Sequence, residues 1–234
     1  MNYKTSSLTS RNKKSLFKND LSNLLKLIAN KKEFFLLIFI NLIVQIYITY
    51  YVFTNYDSTK QFEQNRMLIY LVWLILFVLI IILAIVPMPS WLKFLIFSLF
   101  SGATGYLLSG IKNKVGEDVL KSAVVGTFSI FIVMFIFGIL LIATGIQLSY
   151  QFAFGLLLAL LLLIFLRIVD IFFITSSFFK KAIIVFSLIL FSIFIIYDTN
   201  SILQRDYRGD FITASLDYYL DIINLFQTLI ADNA

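Results

Sequence analysis

The chain has no cysteine and no histidine among its 234 residues. Without cysteine there are no disulfides and no thiolate metal site. Without histidine the side chain that ordinarily titrates near neutral pH is missing, so any proton sensing there falls to carboxyls. A membrane hydrolase also loses its usual base, and no nucleotide loop or metalloprotease motif is present, so no enzymatic activity is expected. Proline is nearly absent too: Pro87 and Pro89 are the only two, both in one loop. With nine glycines in all, long uninterrupted helices fit the composition. Charge is the last scarcity. Charged residues make up 14% of the chain against 60% hydrophobic, with a mean hydropathy of +0.94. That balance excludes a soluble globular domain. The apolar runs are roughly twice the ten or so residues of a barrel strand and do not alternate, which excludes a β-barrel. The chain reads as an all-α integral membrane protein whose first partner is the lipid bilayer.

Candidate spans of sufficient length are 34–54, 67–86, 91–111, 122–144, 151–174, 181–204 and 211–230, giving seven transmembrane helices. The division is a basic segment over 1–32 followed by a single membrane domain over 33–234. Eight of the 19 Lys+Arg precede residue 33, a membrane-surface signal rather than a nucleic-acid one. This cluster sets the N-terminus on the cytoplasmic side. Phe17, Leu21, Leu24, Leu25 and Ile28 recur there at helical spacing, which suits either a short interfacial helix or a disordered basic tail. The last span carries Asp217, Asp221 and Asn224 and is too polar to face lipid, so it belongs in the middle of the bundle.

Asp198 and Asp221 each sit inside an apolar run, almost equidistant from a polar segment centred on Gly209 and Asp210. If that segment turns the chain between two antiparallel helices, both carboxyls lie roughly 17 Å from the turn, at the same depth. Ionisable groups at bilayer depth are costly and read as functional, here with each acid as the other's partner. On a helix, Thr213, Asp217, Asp221, Asn224 and Thr228 fall within an arc of about 80°. Such a stripe suits a water-lined path; its bland alternative is interhelical adhesion, for which Asn, Thr and Ser would suffice. Two close carboxyls in a low-dielectric site share a proton and titrate as a unit. Losing that proton leaves like charges that repel and can attract a cation. A hard ion such as Ca²⁺ prefers such oxygen ligands, making Asp198 and Asp221 a transient Ca²⁺ station, although the residues alone do not choose the ion. No resident cofactor is expected.

Other polar features read as structural. Arg205, Asp206, Arg208 and Asp210 suggest a solvated loop with weak surface pairs. Arg167 and Asp170 suggest an interfacial intrahelical pair. Ser101, Gly105 and Ser109, with Gly102 beside them, form a small-residue stripe for close helix packing.

The sequence resembles the Bax inhibitor-like (transmembrane BAX inhibitor motif) family, most strongly over residues 195–230. The carrying elements are Tyr197–Asp198–Thr199–Asn200 and Tyr219–Leu220–Asp221–Ile222–Ile223–Asn224–Leu225–Phe226, separated by a charged loop. Weaker similarity covers Phe100–Gly105 and Val125–Phe128. The resemblance implies seven helices with the last enclosed by the other six, and a pH-sensitive calcium leak gated by Asp198 and Asp221. Some members latch the first aspartate with an arginine near the second or third helix. Here Val86–Pro89 is uncharged and Lys93 is the nearest basic residue, so either Lys93 is the latch, as a flexible point charge, or the latch is missing. Competing readings are a membrane scaffold that binds partner proteins in cell death or membrane-protein quality control, and a proton-coupled transporter. The Lys/Asn/Ile/Phe bias favours a bacterial plasma membrane over a eukaryotic endomembrane.

Overall fold

The computed structural model describes residues 6–173 and 176–233, with the side chains of residues 6–21, Asn23, Leu24, Arg66, Asn113, Ile171 and Asn233 set aside. Among the described residues every regular element is helical: α1 (Ser6–Asn55), α2 (Thr59–Gln64), α3 (Arg66–Ile85), α4 (Ser90–Ser109), α5 (Glu117–Ala143), α6 (Tyr150–Phe172), α7 (Ser177–Gln204) and α8 (Phe211–Asn233), plus a 3-10 turn at Lys112–Lys114.

Boundaries follow local chemistry. Asn65, Ser149 and Ser176 accept a backbone N–H at the starts of α3, α6 and α7, satisfying a donor the helix leaves free. Pro87 and Pro89 separate α3 from α4. The helix α5 ends at Gly145 (φ 79°). There the Gly145 and Ile146 amides donate back to Ile142 and Leu141, a closure that needs the left-handed conformation glycine tolerates.

Among the described residues six helices are long and apolar enough to cross a membrane: the Leu25–Asn55 part of α1, then α3, α4, α5, α6 and α7. At 23 residues α8 is long enough, about 34 Å. Its aspartates keep it out of the apolar set, so composition supports six spans, not the expected seven. The expected central place of α8 is found, since no residue from Phe211 to Ile230 is exposed. Its enclosure is less complete than expected. The principal neighbours of α8 are α1, α4, α5 and α7, while α3 packs on α4 and α6 on α7 as outer helices. Those outer helices carry much of the exposed apolar surface, including Trp73, Phe77, Leu161 and Phe165.

The helix α1 passes without a break through residue 32, over about 75 Å. The spaced side chains of Phe17, Leu21 and Leu24, and the end of the fifth span at Ile174, lie outside the described residues. Close approaches are made at small residues, as the stripe in α4 predicts. A Cβ on Gly105 would lie 2.4 Å from the Thr49 carbonyl of α1. One on Gly138 of α5 would lie 2.7 Å from Thr199 Cβ of α7.

Candidate functional site

The α7–α8 turn is more built than a solvated loop. Arg208 (φ 51°) and Gly209 (φ 79°) take left-handed conformations and reverse the chain. Asp210 then caps α8: it accepts the Thr213 amide at 3.0 Å and the Thr213 hydroxyl at 2.7 Å. A carboxylate is well placed at a helix start, where free N–H groups and the dipole favour negative charge. The Lys93 ammonium of α4, 8% exposed, donates to Asp210 Oδ2 at 2.5 Å and also to Thr213 Oγ1. Burial raises the Asp210 carboxyl, but Lys93 and the two Thr213 bonds outweigh it and hold the group below its usual range. Arg205 folds inward, donating to the Tyr197 hydroxyl and stacking 4.2 Å from the Tyr150 ring. Lys31 of α1 donates to the Arg205 carbonyl at 2.7 Å. Asp206 and Arg208 alone match the solvated expectation, being exposed.

Tyr207 turns back from this loop. Its ring lies 5.7 Å from Phe34 of α1. Burial, and after it the Asp217 carboxyl, push its phenol above the usual range, so it stays a neutral group over the acidic residues.

Below Tyr207 the hairpin brings Asp198 and Asp221 together. Asp198 is 9% exposed and Asp221 4%, and their carboxyls lie within hydrogen-bonding reach of each other. The other residues leave Asp221 Oδ2 without a donor. A carboxyl–carboxyl contact of this kind is satisfied only when one member carries a proton, because an ionised acid can only accept. Asp217 stands between this pair and the loop, within electrostatic reach of Asp198, Asp210, Lys93 and Arg205.

A family described as "Inhibitor of apoptosis-promoting Bax1" matches residues 31–231. The chain belongs to this Bax inhibitor-like family. No curated protein matches it. The two sequence elements of the Bax inhibitor-like resemblance therefore meet as the walls of one hairpin.

The remaining candidate residues of this Bax inhibitor-like chain divide by what they touch. Thr199 donates to the Ile195 carbonyl and shares a hydrogen bond with the Tyr218 hydroxyl at 2.9 Å, tying α7 to α8. Asn200 receives the Leu148 amide at 2.9 Å and donates to the Ile146 carbonyl at 3.1 Å. It anchors the α5–α6 loop. Asn224 donates to the Leu220 carbonyl of its own helix. Thr213 belongs to the α8 cap. Lys93, the candidate latch, reaches Asp210 instead of Asp198, because its place in the first turn of α4 sets it level with the start of α8. The basic group within electrostatic reach of Asp198 is Arg205, from the same hairpin. Arg167, expected only to pair with Asp170, also reaches across to Ser187 of α7 at 3.0 Å. Among the described residues no three acidic groups converge as a metal site.

A second polar region was missed. On the face of α8 opposite the acidic stripe, Asn41 of α1 donates to Ser215. Gln45 donates to Asn41 at 3.4 Å and to Ser98 at 3.3 Å, and accepts from Ser101 at 2.8 Å. The Thr49 and Tyr219 hydroxyls share a hydrogen bond. The signal was present: Asn41, Gln45 and Thr49 recur every four residues inside an apolar run, which places them on one helix face.

Proposed function

We propose that the protein is a pH-sensitive cation leak, with Ca²⁺ the favoured ion, gated by Asp198 and Asp221. The observation that carries the reading is the burial of the two facing carboxyls between α7 and α8, with one Asp221 oxygen left without a hydrogen-bond partner. With a proton the pair joins the two helices and the path is closed. Without it, two like charges in a poorly screened site repel each other, and the freed oxygens attract a cation. Ca²⁺ takes about six to eight oxygen ligands. Two carboxyls supply at most four, so the ion is passed on rather than stored. Asp217 is the next carboxyl toward the turn, and Tyr207 covers the approach. In this reading α8 crosses the membrane as a seventh span. The N-terminus and the α7–α8 turn face the cytoplasm of a bacterial cell, and the protein is a conduit, not an enzyme.

The test is Ca²⁺ flux into liposomes holding the purified protein, measured across pH. Flux should rise with pH in the wild type, and Asp198→Asn and Asp221→Asn should each flatten the profile. A variant profile that follows the wild type removes the pair from the mechanism.

A further inference from the structure

The helices α1 and α5 both pack on α8, and near the α7–α8 turn they also meet each other. Phe35 and Phe39 of α1 lie 6.0 and 5.5 Å, centroid to centroid, from Phe135 of α5. Farther from the turn the two helices leave a crevice of about 400 Å³ between them. Its floor is buried and apolar, formed by Leu42, Phe131 and Ile222 of α8. Its rim, which includes Ile43, Tyr47, Tyr50 and Ile132, is exposed.

Four points identify the occupant. The rim is continuous with the apolar outer faces of α1 and α5, such as Ile40, Val133 and Ile136, which contact the bilayer. Water is excluded as a filler, because it would need two to four polar partners that this lining does not offer. Tyr47 and Tyr50 lie within the last turns of α1, at the depth where amphipathic tyrosines meet headgroups. The volume lies in the range of about 300–1,000 Å³ typical of small-molecule sites.

We infer that this crevice is a binding site for one phospholipid acyl chain, entering from the leaflet opposite the α7–α8 turn. The headgroup lies by Tyr50 and the tail runs inward to Phe39, resting on Leu42, Phe131 and Ile222. Because Ile222 follows Asp221, the tail bears directly on the helix that carries one member of the acidic pair. The site stands whether or not the protein conducts cations.

The test uses the full chain in phosphatidylcholine nanodiscs doped with a phosphatidylcholine carrying a mid-chain diazirine, irradiated and mapped by peptide mass spectrometry. Labels are expected on the floor residues Leu42, Phe131 and Ile222, as well as on the exposed α6 residues Leu158, Leu161 and Phe165 that any surrounding lipid reaches. Ile46→Trp, which fills the crevice, should abolish the floor labels and spare those on α6. Labelling confined to exposed faces in the wild type overturns the inference, and that result does not depend on the variant folding. Floor labels that persist in Ile46→Trp overturn it as well, as do crosslinks showing that a second copy of the chain covers the crevice.

Discussion

The helix α8 has two polar faces, and they differ in kind. Toward α1 and α4 it offers Ser215 and Tyr219 to a neutral network in which Asn41, Gln45 and Ser101 are all paired. Toward α7 it offers Asp217 and Asp221, and one buried carboxyl oxygen has no donor. The neutral face is sufficient for adhesion. Interhelical hydrogen bonds in membranes average about 0.6 kcal/mol and reach about 1.7. An aspartate at the helix centre costs about 2.5–3.5 kcal/mol on insertion scales, more than any one such bond returns. The acidic face is therefore not explained by holding helices together. A shared proton halves the charge of the Asp198–Asp221 pair, which is why the proposed gate is placed there and not on the neutral side.

The comparison is broken most severely at Gly105. A Cβ 2.4 Å from a backbone carbonyl cannot be relieved by a side-chain shift, so Gly105→Leu should push α4 off α1 and disrupt the neutral face. A loss of about 3 kcal/mol or more is expected, at the upper end of overpacking effects. Thermal unfolding in detergent measures it, and wild-type stability would contradict the packing described.

Gln45→Leu is milder. It leaves the Ser101 hydroxyl and the Asn41 carbonyl oxygen without their partner and should cost about 1–2 kcal/mol. The pH profile of cation flux should keep its midpoint. A shifted midpoint would mean that the two faces of α8 are not separate in function.

Much of this was legible because it depends on few assumptions. Long apolar runs fix the spans, and the matched depth of Asp198 and Asp221 needs only a turn at Gly209 and the helical rise. The small-residue stripe announced a close helix contact on α4, though not that α1 would make it. Partner choice was not legible. Lys93 could have reached any acid near its level, and only the observed seating of α4 against the start of α8 directs it to Asp210. Arg205 looked like a surface charge until the Tyr150 and Tyr197 rings were brought beside it. Asn200 carried a motif but no hint that the α5–α6 loop would close on it.

Lys93→Met sharpens the contrast at the mouth of the acidic face, with an effect of about 1 kcal/mol or less because Asp210 is partly solvated. The folded Asp210 carboxyl lies below its unfolded value of about 3.9. Its contribution is therefore complete above about pH 4 and is lost as pH falls through the lower folded value. In acid titrations of unfolding, Lys93→Met should remove that loss. An unchanged acid limb would mean that the Lys93–Asp210 bridge does not hold in solution.

The smallest expected change in stability is that of Asp221→Asn. An amide can replace the hydrogen bond of a protonated acid, so unfolding should shift by no more than about 0.5 kcal/mol at acidic pH. A large destabilisation there would mean that the pair is ionised and held by other means.

The shared proton itself is most directly read by infrared difference spectroscopy of the carboxylic C=O stretch during a pH titration. The wild type should show one buried protonated carboxyl that vanishes on raising the pH, and both Asp198→Asn and Asp221→Asn should alter that same band. A spectrum with no buried protonated carboxyl, or with two bands that titrate independently, would contradict the account.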